Sequence, residues 1–459
     1  MGDVVITAGC RTAIGALGGQ YKTMTALDLS IPVMQNLVQR AGIDPASIED
    51  VIWGCNYQRT YLENNLARVA LVKAGLPVTV PGITVHRNCT SSMSSVQMAY
   101  YQIKAGEARC IMAGGADSMS TAPHMVFGLR FGKKMGNFEL HDSMWDSLTN
   151  LGVGPAMGIT AENVAERYGV SREDMDAYAL QSQLRAAAAI KEGKFKDEII
   201  PVTVKGRKGD VVVDTDEYPR ETSLEKLAAL KPSFKEGGRV TAGNASGMND
   251  ASSGVIVMSA EAAEAAGCKP LCRILSVATA GVEPEVMGIG PIPAAQKAMA
   301  RAGLTMADID LVEINEAFAA QTLACQRELG IDTYAVNWPI GCGKEFQGVY
   351  DRGSKKIIHF TSNGGAKAAT ATEVELGDPN LDGLIGERLH RQLTDEIELL
   401  DGAAAEFDLD RVRHGKLSPV FFGSALTNFG VEPFLEHFLQ MTTAPLPRRA
   451  GELVVDSLD

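Results

Sequence analysis

The chain has 459 residues, a formal net charge of −13 and 45% hydrophobic residues. This length allows two or three domains, each with a core of its own, and the glycine-rich composition is typical of α/β proteins. The negative charge argues against a nucleic-acid-coating surface or an anionic membrane partner. Eight cysteines without paired spacing suit free thiols in a reducing cytoplasm and give no zinc signature. No apolar run is long enough to cross a membrane, and MGDVVITAGC lacks a signal-peptide pattern.

The first 118 residues alternate buried strands with helices. Strands are predicted at 3–11, 51–54 and 108–118, and helices at 26–41, at 65–75 and after residue 89. This order predicts a mostly parallel sheet with right-handed crossovers. Residues 119–250 break the alternation with methionine-rich loops, helices and lysine-bearing turns. The α/β pattern resumes at 255–267, and a further strand is predicted at 272–282.

Residues 35–52 reappear as residues 296–313, with seven of the eighteen positions identical without gaps. Each copy is predicted to form a helix that ends at a glycine, then a short turn and a buried strand. Such similarity indicates a duplicated structural unit, although helix–glycine–strand units also resemble one another by chance. The α/β pattern runs on to residue 118 after the first copy but stops near residue 330 after the second. The second half is therefore predicted to be incomplete.

Cys89 lies in HRNCTSSMSSVQMAYYQIKAG, just before a strongly helical stretch. The small hydroxyl residues at 90–95 suit a helix start and would let a substrate approach the thiol. A sulfur atom at a helix N-terminus is expected to have a lowered pKa, because the dipole and the free amides stabilise the thiolate. On these residues alone, a buried structural cysteine remains the alternative.

Residues 1–331 resemble a thiolase, close to the biosynthetic acetyl-CoA acetyltransferases. The resemblance is carried by VITAGCRTAIGALGG, IKAGEARCIMAGGADSMS, MGITAENVAERYGVSREDMDAYALQSQ, TAGNASGMNDASSGVIVMS, PEVMGIGPIPA and INEAFAAQ. It implies a duplicated α/β fold, with the first half at 1–118 and 251–270 and an incomplete second half at 271–331. Residues 119–250 would be the family's inserted loop domain over the coenzyme A site.

The resemblance also implies the roles of individual residues. Cys89 matches the nucleophile that takes the acyl group as a thioester, and Asn315 matches the residue holding a water that polarises the thioester carbonyl. Further matches are Arg220 and Ser246 for coenzyme A contacts, Phe234 and Phe318 for the pantetheine channel, and Met157 and Met287 for the acyl pocket. Without the resemblance, Arg220 would be interpreted as a solvated loop residue, and Met157 and Met287 as residues that pack in the core. The substrates would be coenzyme A thioesters, with no permanently bound cofactor.

Two motifs of that family do not occur in the chain. One is Gly-His-Pro, whose histidine activates the nucleophilic cysteine, and the other is Cys-x-Gly-Gly-Gly, whose cysteine is the base for the incoming acetyl group. Cys342 lacks the glycine run that would make it a substitute. Each acid–base group contributes about two to four orders of magnitude in rate, so the loss of both is expected to abolish condensation. Residues 90–92 are Thr-Ser-Ser, whereas the family more often has a small residue followed by Ser-Gly.

Residues 327–459 resemble a different family, peptide chain release factor three, a bacterial translational GTPase. TYAVNWPIGCGKEFQGVYDR and SPVFFGSALTNFGVEPFLEHFLQMTTAPLPR carry this resemblance, and acidic helices are predicted at 383–409. It implies a separate α+β fragment at 332–459, in which residues 424–426 (Ser-Ala-Leu) match a guanine-contacting loop. The chain contains no Gly-x-x-x-x-Gly-Lys-Ser/Thr loop and no Asn-Lys-x-Asp, and Gly343-Lys344 lacks both the first glycine and the hydroxyl residue. Nucleotide binding is therefore not expected.

Three functional hypotheses follow from these features. The first is a cytoplasmic thiolase-type acyltransferase joined to a release-factor fragment, nominally condensing two acetyl-CoA molecules into acetoacetyl-CoA. It would act on small acyl-CoA substrates and bind neither nucleic acid nor membrane; its parent family is homo-oligomeric, but the incomplete core weakens that expectation here. The second is a ribosome- or guanine-nucleotide-binding protein acting through the tail. The third is a non-functional fusion.

Overall fold

The computed structural model describes residues 2–58, 62–207, 209–330, 333–341, 347–362 and 369–403, and then 407–409, 412, 418–420, 437, 441, 448–450 and 453–455. The chain divides into two units. Unit 1 comprises Met1–Gly303 and Ile314–Thr322, and unit 2 comprises Leu304–Glu313 and Leu323–Asp459. Within the described ranges, every helix is too short or too polar to cross a bilayer.

The elements of unit 1 follow the predicted alternation up to residue 118. Its strands are β1 (Val4–Arg11), β2 (Gly15–Ala16), β3 (Asp50–Gly54), β4 (Gly82–Val85), β5 (Cys110–Ser118), β6 (His124–Met125), β7 (His141–Asp142), β8 (Val202–Val204), β9 (Val211–Val213), β10 (Asn249–Ser259) and β11 (Cys272–Ile274). Its helices are α1 (Ala26–Ala41), α2 (Leu66–Lys73), α3 (Ser91–Ala105), α4 (Ser143–Thr149), α5 (Met157–Arg167), α6 (Arg172–Lys191), α7 (Leu224–Ala228), α8 (Ala260–Ala265) and α9 (Pro291–Ala302). Helix α10 (Ala319–Leu329) begins in unit 1.

The main sheet is mixed, so the prediction of a mostly parallel sheet is wrong. Its strand order is β11-β1-β10-β5-β3-β4, with β2 paired to β10. Strand β3 is parallel to β4 and to β5, but β10 is antiparallel to β1 and to β5, between which it lies. The cause is the stretch 119–250, which forms the short hairpins β6–β7 and β8–β9 and helices α4–α7 outside this sheet. A connection of that length can return the chain in either direction.

Side chains alternate along the central strands to form two cores. Trp53 and Met112 pack with α1 and α2 on one face, whereas Ile52 and Ile111 pack with α3 on the other. The strict alternation follows from the two-residue period of a strand. Because helices cover both faces, the strands are apolar on both sides, which is the signal that the sequence carried.

The two copies of the sequence repeat form equivalent helices with very different burial. Helix α1 ends at Gly42 with φ 65°, and α9 ends at Gly303 with φ 70°, in the left-handed conformation that glycine adopts readily. A 3₁₀ turn follows each, at Pro45–Ser47 and at Met306–Asp308. Helix α1 buries seven of its sixteen residues, but α9 buries only Ile292 of its twelve. The helix of the second copy thus forms without most of the packing that covers the first.

The buried strand predicted in the second copy does not form. After the turn, β3 of the first copy joins the sheet, but residues 309–316 have no regular secondary structure, and Leu311 is 87% exposed. The strand predicted at 272–282 is also shorter, because only β11 pairs, and it pairs with β1. A strand needs neighbours for its backbone groups, and the described residues supply none at 309–313.

Unit 2 has an α+β architecture over 333–403. The strands β12 (Thr333–Ala335), β13 (Asn337–Ile340), β14 (Gly348–Asp351), β15 (Lys356–Ser362) and β16 (Ala369–Glu375) precede α11 (Leu381–Ile385) and α12 (Glu387–Ala403), and the later strands are β17 (Ser418–Val420), β18 (Arg448–Ala450) and β19 (Leu453–Val455). Strands β13–β16 form an antiparallel meander. Ile385, Leu389, Leu393 and Ile397 recur every fourth residue and pack in one cluster with Ile340, Tyr350 and Ile357. Unit 2 therefore has a core of its own.

The contrast between α1 and α9 predicts unequal local stability. Tertiary packing supplies most helical stability, so amides within α9 should exchange with deuterium about tenfold or more faster than those within α1. Hydrogen exchange with peptide-level readout measures both helices in one sample, with β5 as the internal reference for protected backbone. Equal protection of α9 and α1 would show that the second half is properly packed.

Candidate active site

Cys89 lies in the turn between β4 and α3, two residues before the helix begins. The preceding Asn88 has φ 47°, a conformation that non-glycine residues rarely adopt and that is found at functional sites. The Ser91 hydroxyl stabilises this turn: it accepts from the Arg87 amide at 2.8 Å and donates to the Asn88 carbonyl at 2.6 Å. The residue that carries the thiol is exposed.

Two glycines let the start of α3 approach the sheet. A Cβ on Gly115 would lie 2.3 Å from Ser92 Oγ, and one on Gly54 would lie 2.8 Å from the Ser91 backbone. Neither position can hold a side chain without displacing the helix start. Ser92 stands where the thiolase pattern more often has glycine, and its hydroxyl occupies the space beside Gly115. The small residues thus fix how close the Cys89 turn lies to the ends of β3 and β5.

Asp117, near the end of β5, organises the segment beside this turn. Its carboxylate accepts hydrogen bonds from the Asn56 and Tyr57 amides at 2.7 and 3.1 Å. The side-chain oxygen of Asn56 lies 2.9 Å from Ser91 Oγ and shares its one proton with the Asn88 carbonyl. Burial raises the pKa of Asp117 to about 6, against the effect of these amides. The chain of contacts joins a partly buried carboxyl group to the Cys89 turn.

The pKa of the Cys89 thiol is shifted in the direction opposite to the predicted one. Although Cys89 is exposed, partial loss of water around its thiol raises the pKa of that thiol, a backbone hydrogen bond opposes this, and the negative charge of Asp117 raises it further. The expected lowering by the helix N-terminus is therefore wrong for this chain, because loss of water and a nearby carboxylate outweigh the amides. The thiol needs a proton acceptor to become a nucleophile.

A second cluster forms around helix α6, which a capping box at Ser171 begins. We call the side chains of Asp176, Tyr178, Ser182 and Gln183 the α6 cluster. Asp176 accepts from Asn244 Nδ2 at 2.9 Å, and both residues are buried. Arg172 Nε donates to the same carboxylate at 2.7 Å. The buried pair fixes Asn244, two residues before Ser246.

Residues 244–246 then pair with the segment that carries Asn315. The Ser246 amide donates to the Ala317 carbonyl at 2.9 Å, and the Ala319 amide donates to the Asn244 carbonyl at 3.0 Å. Ala245 and Phe318 form the antiparallel bridge between these two bonds. Glu316 accepts from Tyr178 Oη at 2.6 Å and from Ser182 Oγ. Ser246, Asn315 and Phe318, distant in sequence, therefore belong to one contact network.

Arg220 joins this network through the last member of the α6 cluster. The Arg220 amide donates to Gln183 Oε1 at 3.0 Å, and its guanidinium lies 5.5 Å from the Tyr218 ring centroid. The Tyr218 ring covers Gly247, where a Cβ would lie 2.1 Å from the ring. Arg220 also lines a recess of about 200 Å³ with Gln183, Thr222, Lys226, Leu227, Leu230, Ala242 and Gly243. Two cationic side chains thus face one small cavity.

The residues predicted for the acyl pocket lie on neighbouring elements. Phe234 packs on α5 next to Met157, since a Cβ on Gly158 would lie 2.2 Å from the Phe234 ring. Helix α5 contacts the 3₁₀ segment Pro284–Ile289, which carries Met287, and Asn163 Nδ2 donates to the Glu285 carbonyl at 2.9 Å. Met157 is half-buried and Met287 is 40% exposed, so neither is simple core filler.

The structure thus places the predicted residues in three groups: the Cys89 turn, the α6 network with Arg220, Ser246, Asn315 and Phe318, and the α5 region with Met157, Phe234 and Met287. Sequence reasoning missed Asp117 and Glu316, and the whole α6 cluster. Tyr178 and Ser182 are four residues apart on one helix and therefore share a face, and Glu316 directly follows Asn315. This spacing could have indicated a pair of hydroxyl donors beside the Asn315 segment.

Cys342, Gly343-Lys344 and residues 424–426 lie outside the described residues. In the part of the chain that is described, no three His, Cys, Asp or Glu side chains are placed to hold a metal ion.

Comparison with known proteins identifies the family. The profile "Thiolase, N-terminal domain" matches residues 4–261, and "Thiolase, C-terminal domain" matches residues 268–343. The chain is 49% identical to the acetyl-CoA acetyltransferase of Syntrophomonas wolfei over 331 residues, 72% of this chain and 83% of that protein. It is 46% identical to the acetyl-CoA acetyltransferase of Chromobacterium violaceum over 376 residues, 81% of this chain and 96% of that protein.

Solved structures agree with this. The acetyl-CoA acetyltransferase of Bacillus anthracis matches with a TM-score of 0.70 and 44% identity, over 72% of this chain and 84% of that one. Human mitochondrial 3-ketoacyl-CoA thiolase in complex with CoA matches with a TM-score of 0.69 and 41% identity, over 72% and 83%. The chain belongs to the thiolase family, whose substrates are coenzyme A thioesters and which needs no permanently bound cofactor. The family match runs to residue 343, past the boundary predicted at 331.

The position of Asp117 predicts how Cys89 responds to a change of charge. In Asp117→Asn, the amide oxygen can still accept from the residue 56 and 57 amides, but the negative charge is gone. Because that charge raises the thiol pKa, its removal lowers the pKa, and the thiolate fraction at pH 8 should rise. We expect iodoacetamide to alkylate Cys89 about two- to tenfold faster at pH 8, with exposed Cys272 as the internal control. An unchanged rate ratio of Cys89 to Cys272 would contradict the coupling.

Proposed function

We propose that this chain is a thiolase-type acyltransferase that binds acetyl-CoA and forms a thioester on Cys89, but does not complete condensation to acetoacetyl-CoA. The observation that carries this proposal is the α6 network, in which side chains of one helix connect Arg220, Ser246, Asn315 and Phe318 in a set of contacts. These are the residues that match the family's coenzyme A contacts and carbonyl-polarising site. Their shared support favours a retained binding site.

The recess beside Arg220 suits the charged end of coenzyme A. Arg220 and Lys226 line it, and no acidic side chain is among its lining residues. Guanidinium and ammonium groups bind phosphate oxygens through charge-assisted hydrogen bonds. Phe234 and Phe318 would then flank the pantetheine arm, and Met157 and Met287 would border the acyl group.

In the proposed first step, the Cys89 sulfur attacks the thioester carbonyl of acetyl-CoA. Cys89 first loses its proton to solvent, and its thiolate forms the new carbon–sulfur bond as the bond to coenzyme A breaks. The coenzyme A thiolate then takes up one proton from solvent, so the net step transfers the acetyl group and conserves protons. A water on Asn315 would stabilise the developing oxyanion. The second step needs a base that removes a proton from another acetyl-CoA, and the sequence holds no Cys-x-Gly-Gly-Gly cysteine for that task. Condensation and its reverse, thiolysis, therefore stop.

We further propose that residues 332–459 are a release-factor-like fragment, that the chain acts in the cytoplasm, and that the homo-oligomer of the parent family is weakened. The sequence stretches quoted above and the separate core of unit 2 support the first point. Against a junction at 331 stand the family match to residue 343 and the relative that covers 81% of the chain. Sequencing of independent genomic DNA across codons 325–345 tests it: an uninterrupted thiolase reading frame would refute the fusion.

Single-turnover chemistry tests the proposed first step. Incubation of the full chain with acetyl-CoA should place one acetyl group on Cys89, detected by intact mass and peptide mapping and absent in Cys89→Ala. Acetoacetyl-CoA thiolysis should be undetectable, because the activating histidine and the second cysteine are missing. A thiolysis rate within about a hundredfold of an intact thiolase, abolished in Cys89→Ala, would contradict the lost second step. Absence of the acetyl group would refute the proposal.

Arg220 provides an independent test of the binding site. Arg220→Ala removes the guanidinium from the recess and should weaken binding of coenzyme A about tenfold or more, since a hydrogen bond to a charged group is being lost. Calorimetric titration measures the change, with exposed Arg207→Ala as the matched control. Equal affinities for the two variants would place coenzyme A elsewhere.

A further inference from the structure

The segment that carries Asn315 has little regular structure to hold it. Residues 309–316 form neither helix nor strand, and Asn315 itself is exposed. On the upstream side, Leu311 is 87% exposed, because the strand predicted at 309–313 does not form. On the downstream side, the Asn315 carbonyl accepts from the Ala317 amide at 3.0 Å, and among the described residues the backbone bonds to 244–246 begin at Ala317. The Asn315 side chain thus lies where an irregular segment meets the backbone that is paired with residues 244–246.

Glu316 supplies the side-chain anchor next to Asn315. Its Oε1 accepts from Tyr178 Oη at 2.6 Å, and its Oε2 accepts from Ser182 Oγ. Using both oxygens fixes the plane of the carboxylate as well as its position. Burial, and then the Glu316 charge, raise the pKa of Tyr178, which keeps the phenol protonated as a donor. The two donors are one turn apart on α6, so a rigid element holds the carboxylate.

We propose that Glu316 is a positioning residue for acyl transfer: held by the Tyr178 and Ser182 hydroxyls, it fixes the turn at 315–318 and with it the Asn315 amide. This inference rests on the proposed thioester formation at Cys89. Glu316 does not touch the substrate. Its effect is geometric, since a displacement of about 1 Å of a group that stabilises a transition state costs about a hundredfold in rate.

The test measures acetylation of Cys89 by acetyl-CoA in single turnovers with the full chain. Glu316→Gln removes the charge and one acceptor oxygen, and should lower the rate at saturating acetyl-CoA by about tenfold to a hundredfold. The half-saturating concentration should change less than about threefold, because the coenzyme A contacts of Arg220 remain. Alkylation of Cys89 by iodoacetamide, which does not use Asn315, should be unchanged. Glu313→Gln, the same change three residues earlier, is the matched control.

A double-mutant cycle ties the effect to the α6 donors. Tyr178→Phe should slow acetylation in the same way, and Tyr178→Phe with Glu316→Gln should be no slower than Glu316→Gln alone, because both remove one contact. Additive losses, or a Glu316→Gln rate equal to that of Glu313→Gln, would overturn the proposal.

Hydrogen exchange separates this inference from the proposed function. In Glu316→Gln, the amides of Ala317, Ala319 and Ser246 should exchange faster than in Glu313→Gln. If the unaltered chain does not acetylate Cys89, the proposed function fails, and exchange alone decides whether Glu316 orders the turn. Unchanged exchange at these amides would then refute the positioning role.

Discussion

The proposed site depends on the polar side chains of one helix. Helix α6 holds three separate segments through side chains: Asp176 binds Asn244, Tyr178 and Ser182 bind Glu316, and Gln183 binds the Arg220 backbone. The buried Asp176–Asn244 pair is the least replaceable of these, since a buried polar group that loses its partner costs about 1–3 kcal/mol. Without these side chains, the loops that carry Arg220 and Ser246 and the segment that carries Asn315 would have no common support. The stretch 119–250 therefore supplies the helix on which the proposed site depends.

The Cys89 turn is held by local backbone and packing contacts and not by the side chains of α6. Backbone strain at Asn88, two closely approached glycines and the Ser91 hydroxyl fix its geometry. The electrostatic environment disfavours the thiolate, because loss of water and the Asp117 charge both raise the pKa of the Cys89 thiol. The turn can be preformed while the sulfur stays protonated, because packing and hydrogen bonds fix the backbone, whereas the thiol pKa decides whether the sulfur loses its proton. The turn at Cys89 is preformed, and the sequence contains no Gly-His-Pro motif whose histidine could take the proton.

The second copy of the repeat separates the elements that form from local sequence alone from those that need tertiary partners. Helix α9 and its glycine stop form as α1 does, because propensity and capping are local. The strand that should follow does not form, because none of the described residues pairs with its backbone. The segment that leads to Asn315 is consequently exposed, and the α6 donors become its main restraint.

The sequence by itself determined the alternation of strands and helices up to residue 118, the helix and glycine stop that recur at 291–303, and the family, and it proposed roles for Cys89 and Asn315. These follow from periodicity, caps and motifs, which are properties of contiguous residues. Only the tertiary structure decided that the sheet is mixed, that Asp117 faces the thiol, and that α6 gathers Arg220, Ser246 and Asn315. The physical reason is the same in each case. The direction of a strand after a long insertion, the proximity of two charges and the partner of a side chain depend on residues far apart in the chain, and no local pattern encodes the distance between them.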